Sequence, residues 1–190
     1  MRSQQHLRPE SQCDQETNLR YPLEQLCFHR SEPFQLAFAR EAIEILPLRP
    51  DRCFEASGRG LLLLAETESA LESSTAILKD AYGEQVCVKE PTIRYQCGAV
   101  TEEPHMGVRV LTPAAHFDAV REDLLRRGAT LLDAEVMLPV GVVRVTAPLV
   151  RLLGYSRELA RLTSGAGREV MWLSHYAPVE SPPPAGNHAA

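Results

Sequence analysis

The chain has no apolar run near the roughly 20 residues that a bilayer-spanning helix requires. Residues 1–20 are polar and hold no apolar core of the kind a secretory signal uses. The five cysteines, Cys13, Cys27, Cys53, Cys87 and Cys97, are odd in number and show no CxxC spacing. That argues against a disulfide framework and points to a reducing cytoplasm, with several of them serving as small core residues. No GxxxxGK[ST] phosphate loop and no HExxH pair occurs, and no nucleophile elbow is evident. His29, His105, His116 and His175 are scattered. Glu66, Glu68 and Glu72 could gather a metal ion, but acids at a helix start answer the helix dipole more simply. The expectation is a protein without enzymatic activity, cofactor, metal or bound nucleotide, and without a membrane partner.

What remains is 190 residues, 44% of them hydrophobic, with a net charge of −5. That is enough apolar material for one domain or two small ones. The negative balance excludes a protein that coats nucleic acid by bulk electrostatics. A local basic face remains open, and nearly every cation is arginine, which forks onto phosphate and stacks on bases where lysine does neither.

Residues 1–20 read as a flexible tail. Leu23–Phe28 fits a strand, although its LEQLCF pattern fits a helix too. Pro33 opens a helix over Phe34–Ile45, with Phe34, Phe38 (or Ala37), Ala42 and Ile45 on one face and Pro47 ending it. Cys53–Ala56 and Leu61–Ala65 are joined by Ser57-Gly58-Arg59-Gly60, a hairpin signal. Ser69 and Glu72 have capping-box spacing, Leu71, Thr75, Leu78 and Tyr82 form a stripe, and Gly83 closes that helix. Val86–Tyr95 is extended. The order strand, helix, strand, strand, helix, strand defines a split βαβ, ferredoxin-like sandwich.

After a joint at Cys97–Pro104 the order repeats. Val108–Leu111 is a strand, and Thr112 caps a helix that starts at Pro113. Its inward residues are Phe117, Val120, Leu124 and Leu125, and Gly128 ends it. Glu122 with Arg126 and Asp123 with Arg127 have the spacing of exposed pairs. Leu131–Leu138 and Val142–Ala147 form a hairpin around Pro139-Val140-Gly141. The stretch Leu149–Pro178 completes the unit. Leu149, Leu152, Leu153, Leu159 and Leu162 recur at helical spacing with Arg151, Arg157 and Arg161 on the polar side, and Gly154 is a point where the helix can split. Gly165 and Gly167 stop it, and Val170–His175 alternates as a largely buried strand. The expected architecture is α+β, two tandem ferredoxin-like sandwiches over 21–97 and 102–180. Residues 181–190, rich in proline, form a second disordered tail.

At this level of detail the chain resembles bacterial elongation factor G and the ribosomal protection proteins. That family's domain V runs Pro-Leu, then Phe-Gly-Tyr, then a helix ending Leu-Thr-Gln-Gly-Arg-Gly, then a strand ending His-Tyr-Ala. Here Pro148-Leu149, Leu153-Gly154-Tyr155, Leu162-Thr163-Ser164-Gly165-Ala166-Gly167 and His175-Tyr176-Ala177 match. Glu103-Pro104, Val108 to Pro113 and Arg126-Arg127-Gly128 match upstream. Val88 to Tyr95 resembles the strand that closes the family's domain III. The resemblance implies domain III joined directly to domain V, with the joint at Cys97–Pro104 where the family inserts domain IV. The family's Gly-Met-Gly-Glu-Leu-His-Leu-Glu segment survives only as Glu68, Leu71 and Glu72, and Ala166 stands where the family has arginine.

The resemblance implies a non-GTPase, elongation factor G-like protein that binds the ribosome near the translation-factor site and modulates translation. Candidate contacts to ribosomal RNA are Arg151, Tyr155, Arg157, Arg161, Ser164, Gly165, Gly167 and Arg168. Arginines, an aromatic and a glycine turn are what phosphate contact requires. The same residues also fit a solvated helix face with an ordinary glycine cap. The alternative function is a protein–protein interaction module that docks on a separate GTPase or another partner without ribosome binding.

Overall fold

The computed structural model describes residues 20–179. The two tails expected at 1–20 and 181–190 lie outside them, apart from Arg20. Among the described residues, ten strands and five α-helices form two antiparallel sheets, each with helices on one face. In the first unit, β1 (Leu23–His29), α1 (Gln35–Ile45), β2 (Arg52–Ser57), β3 (Gly60–Ala65), α2 (Glu68–Tyr82) and β4 (Val86–Val88) follow one another. Their sheet has the order β2-β3-β1-β4, with β5 (Thr92–Ile93) also paired to β1. In the second, β6 (Gln96–Cys97) leads into β7 (Thr101–Pro113), α3 (Phe117–Arg126), β8 (Thr130–Met137), β9 (Val140–Pro148), α4 (Leu149–Leu152), α5 (Tyr155–Leu162) and β10 (Arg168–Pro178). The order β10-β7-β9-β8 repeats that of the first sheet. The architecture is two tandem ferredoxin-like sandwiches.

Burial follows the strand period of two. Leu23 and Cys27 of β1 and Leu61, Leu63 and Ala65 of β3 face the helices and are essentially inaccessible. They meet Phe38, Ala39 and Ala42 of α1 and Leu71 and Leu78 of α2 in the core. In the second unit Met106, Val108 and Val110 of β7 and Val143 and Val145 of β9 meet Val120, Leu124, Leu152, Tyr155 and Leu159.

Several local expectations change. Helix α1 is turned so that Ala39 and Ala42 lie on the sheet, leaving Phe34 72% and Ile45 42% exposed. Small residues let the helix axis approach β2 and β3. The cap of α2 is Thr67, whose Oγ1 accepts from the Ala70 N–H at 3.4 Å, and Ser69 lies inside the first turn. The segment Val86–Tyr95 breaks at residues 89–91. The joint shrinks to residues 98–100, because β6 already pairs with the start of β7. Strand β7 runs through Thr112 and Pro113, so Thr112 caps nothing; a 3-10 turn at Ala114–His116 leads into α3. Leu125 is exposed rather than inward. Strand β10 lies at the edge of its sheet and stays half-exposed, contrary to the buried strand expected.

Candidate functional site

The helix layer of the second unit carries most of the sequence-derived candidates. Leu153-Gly154 separates α4 from α5, with Gly154 at φ 72°. This break turns α5 so that Tyr155 and Leu159 drop into the core, leaving Arg157 and Arg161 outside. Their side chains are 82% and 69% exposed. The neighbouring α3 adds Arg126, also largely exposed, and Arg127. Together α3, α4, α5 and Arg127 hold six arginines (121, 126, 127, 151, 157 and 161) against four carboxylates (118, 122, 123 and 158). This face is positive on a chain that is negative overall.

The arginines are held rather than loose. Asp123 is almost fully buried and pairs with Arg126 at 3.1 Å and Arg127 at 2.9 Å. The Asp123–Arg127 pair expected from spacing forms, although its acid is buried rather than on the outside, and Arg126 pairs with the same Asp123. The Arg127 guanidinium lies 5.3 Å from the centre of the Tyr155 ring and donates to the Arg151 carbonyl. Arg151 answers with a longer bond to the Arg127 carbonyl. Arg161 holds Glu158 in a forked pair, which keeps that carboxyl below its ordinary range. Arg157 reaches the first unit, 3.4 Å from Glu72.

Tyr155 is the clearest correction. Its side chain is fully buried, so it offers no ring to a base. The glycine turn is also not a phosphate cradle. Gly165 N–H donates to Ala160 O, Ala166 N–H to Thr163 O, and Gly167 N–H to Thr163 Oγ1. Those amides are already spent. The turn also ends a helix, where the dipole is negative and repels an anion. Gly167 is buried; Ser164 and Gly165 are exposed at φ 52° and 79°. Arg168 folds back to donate to the carbonyls of Gly165 and Gly167. Beside it, Leu111, Pro113, Pro139, Val140 and Ala166 line a mainly apolar cavity of about 350 Å³. The structure therefore gathers Arg151, Arg157 and Arg161 into one layer with Arg126 and Arg127, and sets Arg168 apart. In the sequence, the i,i+4 spacing of Arg126 and Arg127 with acids reads as helix support and carries no sign of a contact role.

Among the described residues, no group of three or more His, Cys, Asp or Glu is placed to hold a metal ion, and no helix is long and apolar enough to cross a membrane.

Comparison with known proteins bears on this layer. Residues 100–185 match the family model of the elongation factor G C-terminus. Elongation factor G 2 of Pseudoalteromonas translucida is 41% identical over 83 residues, which are 44% of this chain and 12% of that protein. Elongation factor G 2 of Vibrio cholerae is 42% identical over 76 residues, 40% of this chain and 11% of that protein. The chain thus spans only about an eighth of the length of these relatives. A solved protein of Thermus thermophilus shares the fold over 93% of this chain and 44% of its own, with a TM-score of 0.61 at 19% identity. That match takes in both sandwiches and speaks to fold alone. Over residues 100–185 the second sandwich of this chain is thus similar to the elongation factor G C-terminus.

Proposed function

We propose that this protein is a non-GTPase relative of elongation factor G that binds the ribosome near the translation-factor site and modulates translation. The observation that carries the reading is the arginine-rich helix layer on a domain similar to the elongation factor G C-terminus. Six arginines against four carboxylates stand out on a chain of net charge −5. Phosphate contact by such a layer gives affinity that falls steeply with salt and reads no sequence. Arg126, Arg157 and Arg161 present largely exposed side chains in that layer.

The test is co-sedimentation with ribosomes over a salt series. Association at low salt should weaken about tenfold or more when Arg157 and Arg161 are both changed to Glu, since two phosphate contacts become repulsive. GTP hydrolysis by the pure protein above background would overturn the non-GTPase part.

A second reading is a docking module for a separate protein, such as a GTPase. One feature favours it. The first unit has a cavity of about 380 Å³ lined by His29, Phe34, Phe38 and Tyr82 with Glu32 and Glu41. Aromatic faces beside carboxylates suit a basic side chain of a partner. Absence of ribosome association even at low salt would select this reading.

A further inference from the structure

The second sheet has helices on one face only, and its other face carries chemistry that the helix layer does not use. The register sets Trp172 of β10 opposite Gly107 of β7. The next cross-strand row holds Arg109 of β7 and Arg144 of β9. Arg168 lies one row further, and His105 and His175 lie on the other side of Trp172, their rings stacked with centres 5.1 Å apart.

Trp172 lies flat on this face. A Cβ added to Gly107 would fall less than 3.0 Å from each of Cε2, Cζ2 and Nε1 of the indole. Three adjacent ring atoms at nearly equal distances place the point above the ring rather than at its rim. One π-face therefore covers the bare backbone of the glycine. The residue remains 44% exposed, so much of the side chain away from the glycine is open to solvent. Gly107 has no conformational need to be glycine; it lacks a positive φ. Its use is to let the indole lie down.

From this arrangement we infer that the open sheet face is a platform for unpaired RNA bases. An antiparallel sheet with an aromatic ring lying on it stacks single-stranded bases, while neighbouring arginines hold the phosphates. Arg109 is exposed beside the indole and Arg168 lies toward the rim. Arg144 is paired with Asp133 on the far edge strand, where Glu135 also lies, so the cationic side of the platform is the Trp172 side. This charge favours a polyanion over an apolar protein surface. The platform does not rest on the ribosome reading, because the helix layer lies on the other side of the same sheet.

Trp172 is the chain's only tryptophan, so its fluorescence reports on the platform directly. The full chain is titrated at low salt with short oligoadenylate and oligouridylate, with an abasic oligomer of equal charge, and with a short RNA duplex. Saturable quenching by both single strands is expected, with the abasic oligomer and the duplex at least about tenfold weaker. Anisotropy of a labelled oligoadenylate should show that Trp172→Leu and Arg109→Glu each weaken binding about tenfold, the second by charge alone. Arg157→Glu with Arg161→Glu should bind the oligonucleotide as the parent does, whatever happens to ribosome pelleting. No saturable quenching, equal binding of the abasic oligomer, or parental affinity in both face variants overturns the proposal. So does quenching by a peptide partner without any by RNA.

Discussion

The carboxylate of Glu68 accepts a hydrogen bond from the backbone N–H of Gly154 at 2.7 Å, across the boundary between the two sandwiches. Gly154 is the cap of α5 and has no side chain with which to satisfy that helix start. Glu68, in the first turn of α2, accepts from the cap residue's own N–H, as the glutamate of a capping box does, and places a negative charge at the positive end of α5. The chain thus borrows a cap from one unit for the arginine-bearing helix of the other. Changing Glu68 to Ala should cost about 1–2 kcal/mol in urea unfolding, and Glu68→Gln, which keeps a neutral acceptor, should cost less. The exposed Arg157–Glu72 contact beside it should contribute no more than about 0.5 kcal/mol. A Glu68→Ala variant as stable as the parent would show that α5 is ordered without the first unit.

Tyr155 tests whether an aromatic in the family motif acts by contact or by packing. Its hydroxyl is buried with no hydrogen-bond partner among the described residues, and burial, aided by Asp123, pushes its pKa upward. A buried hydroxyl without a partner costs about 1–3 kcal/mol of desolvation. Tyr155→Phe should therefore be as stable as the parent or more so, and should pellet with ribosomes as the parent does. Tyr155→Ala should cost about 3–5 kcal/mol, because the ring fills the centre of the second core. Reduced ribosome association in Tyr155→Phe at unchanged stability would return the residue to the contact surface.

The element order was legible because punctuation and period agreed. The Gly58-Arg59 turn, the stop at Gly83 and the split at Gly154 all stand where the sequence marks them. Local choices between neighbours were less legible. Thr67 and Ser69 both suit a cap, and strand β3, running to Ala65, leaves only Glu66 before the cap of a helix that starts at Glu68. The face of α1 was set by Ala39 and Ala42, since close approach to the sheet outweighs burial of the larger Phe34 and Ile45. The site was the least legible. Sequence shows that glycines and arginines are present, but not that the turn's amides are consumed inside the turn. Nor does it show that Trp172 has a bare glycine across the sheet, since that pairing joins residues 65 positions apart.

Gly107→Ala is a direct test of the flat indole. The new Cβ would sit less than 3.0 Å from the ring, so the indole must lift from the sheet. The expected result is a red-shifted emission and stronger quenching by acrylamide, with stability changed by no more than about 1 kcal/mol because alanine suits a strand better than glycine. Loss of oligonucleotide quenching in the same variant would tie ring posture to base stacking. An unchanged emission spectrum would mean that the sheet, and not the ring, absorbs the methyl group.

Cys27 gives the first unit a pH signature. Its thiol is wholly inaccessible on β1, and burial pushes its pKa up to about 12 from an ordinary 9.0, with Lys79 pulling weakly the other way. In the unfolded chain the thiol ionises near its ordinary value, so between these two values the unfolded state binds fewer protons than the folded one. Stability is then complete below about pH 9 and falls as pH rises toward 12. At pH 10 this one group should account for a loss of about 1.4 kcal/mol relative to pH 7. Cys27→Ala should be less stable than the parent at pH 7, because it leaves a small void, yet lose less on going to pH 10. Urea midpoints of both proteins at the two pH values measure the difference, and parallel losses would show that the buried thiol is not the group responsible. Thiol labelling supplies the kinetic counterpart: exposed Cys97 should react with a maleimide in the native state, while Cys27 should react only at the rate at which the first sandwich opens.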